Sequence, residues 1–459
     1  MAGKKRKQQP VKVGQREELE ITGLGHAGEG VGRIDGFAIF VPGAIPGDRV
    51  FTQIEKVKQN HGRGEIVKVV RPAADRVSPA CAVAEHCGGC QLQQMAYAQQ
   101  LKWKHQLVLD ALTRIGKFSH PQVRRVIGMA HPYGYRNKVQ YPVTTADDRI
   151  ALGFYRRGTH ELVPIEECDN SHPLCNKALR IMSSLLERYG LIPYDENTGT
   201  GLIRHLVCRV STARNQLMII LVTNARDIPG AAGLVSSMQA DLPELVAVAQ
   251  NVNQQLTNVI MGAETHLLWG EPYLIEELNG LRFAISPRSF FQVNSEQAAV
   301  LCQQVVDYAK MARGARALDC YCGTGIIALH LARAGAQVTG VEIVPEAISD
   351  ARLNAELNQI QADFRIGKVE IELPGLLEEG PVDTAVLDPP RKGCEPEVLD
   401  ALIDSRIPRL VYVSCNPSSL ARDLRILAGG GYQLQEVQPI DMFPHTAHVE
   451  CVALAVYGS

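Results

Sequence analysis

The chain of 459 residues lacks long apolar runs and any large excess of charge of one sign. No stretch of about 18 consecutive apolar residues occurs, which excludes a membrane-spanning helix of ordinary length. The basic amino end, with Lys4, Lys5, Arg6 and Lys7, has no apolar segment behind it and so lacks the pattern of a secretory signal. A formal net charge of -2 predicts no general attraction of the whole surface to nucleic acid. We therefore expect no membrane partner.

Cysteine, by contrast, is plentiful, because twelve occur in the chain. In a chain of this size without a secretory signal, that number indicates a reducing compartment, and we expect a cytoplasmic location. Clustered cysteines in such a compartment act as metal ligands or catalytic groups more often than as disulfides. The length allows roughly two to four domains.

The amino-terminal part is predicted to be a disordered basic tail, residues 1–14, followed by a small β-barrel. Between residues 15 and 74, short strand-like segments beginning at Glu18, Phe37 and Arg49 alternate with glycines that mark turns. Several short strands at close spacing are typical of a barrel. The barrel is either a purely structural module or an RNA-binding one that contacts phosphates. The basic candidates for those contacts are Lys56, Lys58, Arg63 and Lys68.

A compact group of cysteines lies at the start of the predicted central domain, residues 75–280. Five residues separate Cys81 from Cys87, and two separate Cys87 from Cys90. Three thiolates so close together need a fourth ligand for a four-coordinate centre, and the spacing suits an iron–sulfur cluster at least as well as zinc. The candidates for the fourth ligand are Cys168, which we favour because it lies in a polar turn, Cys175 and His86.

Two further segments of the central domain have a clear periodicity. Residues 93–116 predict a helix that packs on the last domain, with Leu101, Val108 and Leu112 on its apolar face. Residues 135–141 mix aromatic, amide and basic side chains along a predicted strand. That mixture suits stacking on unpaired bases and contact with phosphates, and a solvated strand face is the alternative.

The last third, residues 281–459, alternates strand-like and helical segments and predicts a Rossmann-like, doubly wound parallel sheet. A loop with Gly323 and Gly325 follows the first strand, and Glu342 ends the second strand, nineteen residues beyond Gly323. Glycines let a ligand approach the backbone, and an acidic residue at that distance accepts ribose hydroxyls. The loop has neither a third spaced glycine nor a phosphate-binding lysine, which favours S-adenosylmethionine over NAD or ATP. Asp388, held by two following prolines, can orient the donor or the substrate base.

A short valine-rich run between Pro408 and Pro417 predicts a buried strand that ends at Cys415. Ligands bind at the carboxyl edge of open α/β sheets, so Cys415 is a candidate nucleophile. Glu450 begins the last apolar strand, where a carboxylate is costly unless it has a partner, and it is the favoured base. His448 and His445 are weaker candidates for the base. Alternatively, Cys415 is a small buried apolar residue and Glu450 forms an ion pair.

Four motifs together resemble the RNA uracil-5-methyltransferase family, and the resemblance covers almost the whole chain. It implies that Cys415 is the nucleophile and Glu450 the proton acceptor. It also implies that Gln292, Tyr321, Glu342 and Asp388 bind the methyl donor. The motifs are Ser289-Phe-Phe-Gln-Val-Asn294, Leu387-Asp-Pro-Pro-Arg-Lys-Gly393, Val413-Ser-Cys-Asn-Pro417 and His445-Thr-Ala-His-Val-Glu450.

The first two domains refine this resemblance. The barrel is similar to a TRAM domain, which binds RNA, and the central cysteines resemble the ligands of a [4Fe-4S] cluster. Barrel and cluster together are similar to the branch that methylates 23S ribosomal RNA. The loop at residues 320–325, however, is similar to that of relatives without a cluster. The implied cluster ligands are Cys81, Cys87, Cys90 and Cys168.

Together these interpretations predict an enzyme that transfers a methyl group from S-adenosylmethionine to C5 of a uridine in 23S ribosomal RNA. The Cys415 thiolate is expected to add to C6 of a flipped uracil, and Glu450 to remove the C5 proton. We expect a monomer without an obligate protein partner. The alternatives are the same reaction on transfer RNA, and a non-catalytic RNA-binding or redox-sensing iron–sulfur protein.

Overall fold

The computed structural model describes residues 9–458, whose strands form sheets of six, seven, two and seven strands. The first sheet has the spatial order β1-β5-β6-β4-β3-β2 and surrounds an apolar core that includes Leu19, Ile39 and Val50. Its strands are β1 (Arg16–Glu20), β2 (Gly23–Leu24), β3 (Gly30–Ile34), β4 (Phe37–Val41), β5 (Arg49–Val57) and β6 (His61–Arg71).

The segment before β1 packs on this sheet. Val11 is 3% exposed in the core of the sheet, and the Gly14 amide donates to the Ile54 carbonyl at 2.7 Å. Residues 1–8 of the predicted disordered tail lie outside the described residues. The prediction of a tail is wrong at Val11, because this apolar side chain is buried by the barrel.

The central domain has a mixed sheet with the order β13-β12-β11-β10-β7-β8-β9. β10 and β11 are buried on both faces, because helices cover one face and the last domain covers the other. The helices on that face are α2 (Pro173–Arg188) and α3 (Ala231–Asp241), whereas α1 (Tyr97–Arg114) packs on the last domain. The strands are β7 (Lys138–Ala146), β8 (Arg149–Tyr155), β9 (Leu162–Pro164), β10 (Ile203–Ser211), β11 (Gln216–Thr223), β12 (Leu245–Val252) and β13 (Glu264–Gly270).

A two-stranded hairpin, β14 (Leu274–Leu278) and β15 (Leu281–Ile285), precedes the last sheet. That sheet comprises β16 (Arg316–Cys320), β17 (Gln337–Glu342), β18 (Asp363–Ile366), β19 (Thr384–Leu387), β20 (Arg409–Ser414), β21 (Tyr432–Ile440) and β22 (Glu450–Tyr457). The helices around it are α4 (Ser295–Ala309), α5 (Ile326–Arg333), α6 (Pro345–Asn358), α7 (Val369–Glu378), α8 (Pro396–Ser405) and α9 (Pro417–Gly429).

The order of the last sheet is β18-β17-β16-β19-β20-β22-β21. The five strands β18, β17, β16, β19 and β20 are parallel, whereas β22 is antiparallel to both β20 and β21. The prediction of a wholly parallel sheet is therefore wrong at this edge. The reversal brings the start of β22 beside the end of β20, with Ser414 opposite Cys451.

Helix α1 lies within the segment predicted to be helical, and Val108 and Leu112 of its predicted apolar face are buried. Gln100 and Lys104 are also fully buried, whereas Ile115, at the end of the segment, is 40% exposed. The two polar side chains are buried because they have partners in the loop before β22, described below. Among residues 9–458, no helix combines the length and the apolar character needed to cross a bilayer.

Candidate active site

The carboxyl ends of the parallel strands open into a cavity of about 1080 Å³. Parallel strands in one sheet end on the same edge, so residues far apart in sequence converge there. The favoured catalytic residues and all the predicted donor-binding residues line this cavity. These residues are Gln292, Tyr321, Gly323, Glu342, Asp388, Cys415 and Glu450.

The loop between β16 and α5 forms one end of the cavity. Tyr321, Gly323 and Gly325 adopt positive φ angles of 67°, 53° and 78°, which fold the loop tightly before the helix begins. The Gly323 amide donates to the Glu342 carboxylate at 3.2 Å, and the Val344 amide donates to its other oxygen at 2.9 Å. These two bonds orient Glu342 at the end of β17, where a ribose would lie across from the loop.

Two buried carboxyl groups face the same cavity. Asp319, at 0% exposure, has no hydrogen-bond partner for either carboxylate oxygen in the described residues. Burial raises the pKa of Asp319, with a further contribution from Asp388, and burial raises the pKa of Asp388 to about 7. Buried unpaired carboxyl groups are costly, and a cationic ligand relieves that cost. The ammonium and sulfonium groups of S-adenosylmethionine fit this environment.

Cys415 and Glu450 lie together at the opposite side of the cavity. Burial raises the pKa of the Cys415 thiol, and Glu450 raises it further, whereas the nearby Arg391 guanidinium lowers it. Burial, then Asp388, raises the pKa of Glu450 well above its usual range, and Arg391 opposes that shift. Glu450 is 3% exposed. The pair therefore has the proximity needed for a nucleophile and a base, with one cation beside both.

Arg391 also contacts His448. Its Nη2 lies 2.9 Å from Nδ1 of His448, and burial followed by Arg391 lowers the pKa of His448 to about 4. Neutral imidazole is thus the favoured form, which lets the ring accept the guanidinium hydrogen bond. His445, the other histidine proposed as a base, does not line the cavity, so the structure separates it from Cys415.

A second cavity, of about 530 Å³, adjoins the first. Arg391, Cys415 and His448 line both cavities. The second cavity is a cleft between all three parts of the chain, because the barrel, the cysteine loop and the last domain each contribute to its wall. The barrel contributes His26, Ala27, Glu29 and Arg63, and the central domain contributes Gln91, after the cysteine loop, and Arg157, between β8 and β9.

The loop that connects β21 to β22, residues 441–449, is held by the central domain. Lys104 of α1 and Asp441 form a fully buried ion pair with a 2.5 Å separation of Nζ and Oδ1. Gln100 accepts a hydrogen bond from the His445 amide at 3.1 Å, and the His445 carbonyl accepts from the amides of Gln91 and Leu92, both at 3.0 Å. These bonds tie the loop that carries His448, and that leads to Glu450, to the segment directly after Cys90.

The structure brings the four predicted cluster cysteines close together. Burial is the largest cause of the raised pKa values of Cys81, Cys87 and Cys90, and the neighbouring thiols, including Cys168, raise them further. The Asn170 side-chain amide donates to the Cys90 sulfur at 3.1 Å, and the Gly89 amide donates to the Cys87 sulfur at 3.4 Å. Hydrogen bonds to sulfur are usual around ligated thiolates.

The alternative fourth ligands fit less well, because Cys175 is buried in the core beside Cys208 and His86 is exposed. Within the described part of the chain, no three His, Cys, Asp or Glu side chains are arranged as a formed site for a single metal ion. A four-iron cluster, however, spreads its thiolate ligands further apart than one ion does.

Asp319 and Phe290 also line the main cavity, and the sequence predicted no role for either. Asp319 is predicted only as part of a strand, although its place as the last but one residue before the glycine loop is a usable signal. Phe290 is 67% exposed at the cavity, and an exposed aromatic beside Gln292 could have been noticed from the motif alone. The predicted base-stacking role of the strand at residues 135–141 is wrong for Tyr135 and Tyr141, which are 5% and 0% exposed.

Comparisons with known proteins agree with this architecture. The family model described as TRAM domain matches residues 10–67, and the model described as tRNA (Uracil-5-)-methyltransferase matches residues 370–456. A general methyltransferase domain model matches residues 317–403. The TRAM match confirms the predicted nature of the barrel.

Full-length relatives and one solved structure extend these matches. The chain is 42% identical over 451 residues to an uncharacterized RNA methyltransferase of Halalkalibacterium halodurans, covering 98% of both chains. It is 43% identical over 446 residues to another from Caldanaerobacter subterraneus, covering 97% of this chain and 98% of that one. The structure of the Pyrococcus abyssi tRNA (uracil-54, C5)-methyltransferase in complex with S-adenosyl-L-homocysteine is similar over 96% of this chain and 100% of that one. The TM-score is 0.77 at 28% identity. The chain therefore belongs to the RNA (uracil-5-)-methyltransferase family.

Proposed function

We propose that this enzyme transfers the methyl group of S-adenosylmethionine to C5 of a uridine in 23S ribosomal RNA through a covalent Cys415 intermediate. The observation that carries the proposal is the single cavity that Cys415, Glu450 and the glycine loop share. A methyl donor on the loop and a base beside Cys415 would then meet inside one chamber. The roles below follow from the side chains that line this cavity.

The reaction begins with addition of the Cys415 thiolate to C6 of the uracil. The electrons of the C5–C6 double bond move toward C5 and the C4 carbonyl, which makes C5 nucleophilic. C5 attacks the methyl carbon, and the carbon–sulfur bond of the donor breaks to give S-adenosylhomocysteine. Glu450 then accepts the proton from C5, the double bond re-forms, and the bond between C6 and Cys415 breaks to release the thiolate.

Arg391 is positioned to serve both halves of this sequence. Its contact with Cys415 favours the thiolate that starts the reaction, and its positive charge favours the carboxylate form of Glu450 that ends it. The positively charged sulfonium of the donor acts in the same direction on Glu450. Binding of the donor thus opposes the effect of burial on the pKa of the base.

We propose that Cys81, Cys87, Cys90 and Cys168 hold a [4Fe-4S] cluster. These four side chains would hold the cluster, which would join the loop at residues 81–90 to the turn at Cys168. The methyl transfer itself needs no electron, so the chain's own contribution at this place is to fix the position of Gln91 and Leu92. Those residues hold the loop that leads to Glu450.

Ribosomal RNA is the favoured substrate because the chain combines a TRAM domain with the four-cysteine group. Transfer RNA is the second candidate, since the Pyrococcus abyssi enzyme, which is similar over its full length, is a tRNA (uracil-54, C5)-methyltransferase. Mapping of 5-methyluridine in both RNA classes from cells with and without the gene decides between them. Loss confined to transfer RNA would contradict the ribosomal assignment.

Replacing Cys415 by alanine tests the covalent mechanism. We expect Cys415→Ala to lower the methylation rate at least about a thousandfold, because C5 is no longer activated. Cys302→Ala is the matched control, since Cys302 also lines the main cavity but lies on α4. Methyl incorporation from labelled donor measures both variants. Comparable activity of Cys415→Ala and the native enzyme would remove Cys415 as nucleophile.

A further inference from the structure

We propose that Arg136, Lys138 and Arg209 form a binding subsite for one phosphate group of the RNA backbone, next to the main cavity. The proposal rests on the proposed function, because it assumes that an RNA strand enters this cavity. It adds a place where the strand is fixed beside the reacting uridine.

Strand geometry brings the three cations to one face. Side chains alternate along a strand, and Arg136, Lys138 and Gln140 are half-buried while Asn137 and Val139 are buried. Arg209 of β10 lies directly opposite Lys138 of β7 in the antiparallel register. Arg136 lines the wall of the main cavity. It is therefore the member of the group that an RNA strand in the cavity would contact first.

The group has little negative charge of its own. Neither Arg136 nor Lys138 makes an ion pair with any residue from 9 to 458. Arg209 is 3% exposed, donates from Nη2 to the Ser289 carbonyl, and has no partner for Nε in the described chain. The carboxylate that influences it is Asp350, which Ser286 already binds at 2.8 Å.

The pKa shifts of the group agree with the scarcity of negative charge around it. Burial, followed by Arg209 and Arg136, lowers the pKa of Lys138 to about 7. Burial lowers the pKa of Arg209 to about 10. Buried cations without partners are destabilising, and an anion that binds among them recovers that free energy.

A phosphodiester is the anion that best suits the group. The planar guanidinium presents paired donors that match two phosphate oxygens, and lysine adds a point charge. The RNA supplies such a group on each side of the uridine. The carboxylate of the methyl donor is the other anion expected in the cavity. It would reach the subsite only if the donor bound in the opposite orientation, with its ribose away from Glu342.

The test measures RNA binding by Lys138→Met, which removes the charge and keeps the length of the side chain. The probe is fluorescent hexauridylate, titrated with the full-length protein at several salt concentrations. We expect affinity to fall about tenfold and the slope of log K against log salt to fall by about 0.7. Lys177→Met is the matched control, because Lys177 lies on α2, pairs with Glu244 and lines neither cavity. It should leave both quantities unchanged.

A series of hexauridylates, each with one neutral methylphosphonate, locates the phosphate. In the native protein one position should weaken binding about tenfold, and Lys138→Met should be insensitive to that same position. Lys138→Arg should restore the native pattern. Equal losses in Lys138→Met and Lys177→Met, or unchanged sensitivity at every position, would overturn the proposal.

Two further measurements distinguish a phosphate subsite from a donor subsite and from a loss of folding. Isothermal titration with S-adenosylhomocysteine should give the same affinity for Lys138→Met and native protein, and a selective loss there would assign the site to the donor carboxylate instead. The melting temperature of Lys138→Met should not fall, because a half-buried cation is removed. None of these binding and melting measurements requires methyl transfer. Their results therefore do not depend on whether Cys415 is the nucleophile.

Discussion

At Cys415, two neighbouring charges act in opposite directions on one thiol. Burial and Glu450 raise its pKa, which reduces the thiolate fraction at neutral pH, and Arg391 lowers it. The reactivity of the free enzyme is therefore set by a small balance among three side chains. That balance shifts toward the thiolate whenever the carboxyl group is neutral or the guanidinium is close.

The pH dependence of Cys415 alkylation tests this balance. Because Arg391 favours the thiolate, Arg391→Met should move the midpoint of iodoacetamide modification to higher pH. Glu450→Gln removes the like charge and should move it to lower pH. Peptide-resolved mass spectrometry separates Cys415 from the other eleven cysteines. Coincident profiles for both variants and the native protein would contradict the assigned contacts.

Glu450→Gln should also uncouple the two halves of the reaction. Attack and methyl transfer need no base at C5, whereas release of the RNA requires removal of the C5 proton. We expect a covalent protein–RNA adduct that persists on denaturing gels, with product formation at least about a hundredfold slower. His448→Gln is the control, since His448 contacts Arg391 but is not the assigned base. Normal release by Glu450→Gln would exclude Glu450 from this role.

Residue types and strand ends predicted Glu342, Asp388, Cys415 and Glu450 at the main cavity, whereas Gln292 and Tyr321 were predicted only from the family resemblance. Cys415 directly follows a valine-rich strand, and Glu450 begins the last apolar strand. Both positions can be recognised in the sequence, and the sheet brings the end of the first strand beside the start of the second. The only local signal of Asp319 is its place just before the glycine loop, and an acid at a strand end is common. Its significance arises only from the lack of any partner for its oxygens in the described chain.

At the scale of elements, α1 is the feature that sequence periodicity described least well. The predicted apolar face ignored Gln100 and Lys104, since polar side chains at such positions ordinarily face solvent. Their burial depends on the loop at residues 441–449, which is more than three hundred residues away in the chain. Local patterns hold no information about a partner so distant in sequence.

Replacing only one member of the buried ion pair between Lys104 and Asp441 should lower the free energy of unfolding substantially. Lys104→Met leaves a buried carboxylate that only the Tyr97 hydroxyl still contacts, and we expect a loss of about 3–5 kcal/mol in the free energy of unfolding. The double variant with Asp441→Asn should lose less than the single variant. Lys177→Met, which breaks a partly exposed pair, should lose about 0–1 kcal/mol. Chemical denaturation measures all three, and equal losses would contradict the burial argument.

At the scale of the whole molecule, the cleft beside Cys415 exists only because three units meet. Composition and turn spacing predicted a barrel, a central domain and a Rossmann-like domain, and the TRAM match confirms the first. The apposition of Arg63, Arg157 and Arg391 across their junction was beyond prediction, since no motif records how rigid units pack. A basic wall at this place suits an RNA strand that extends from the reacting uridine.

Substitution in the barrel should therefore reduce RNA affinity without touching the chemistry. We expect Arg63→Gln to weaken RNA binding about threefold to tenfold and to lower the salt slope by about 0.7. Arg71→Gln is the matched control, because Arg71 lies on the same strand but lines neither cavity. Equal effects of the two substitutions would show that the barrel acts only through its overall charge. The rate at saturating RNA should stay unchanged in both.

Cys415 lies in the wall shared by two cavities, and this position affects the order in which the spent donor and the RNA leave the enzyme. The spent donor can leave through the main cavity while the RNA remains in the cleft, so exchange of donor does not require dissociation of the RNA. We therefore expect processive methylation wherever one RNA presents two target uridines within reach. A pulse of labelled RNA followed by excess unlabelled RNA would then yield doubly modified molecules before singly modified ones accumulate.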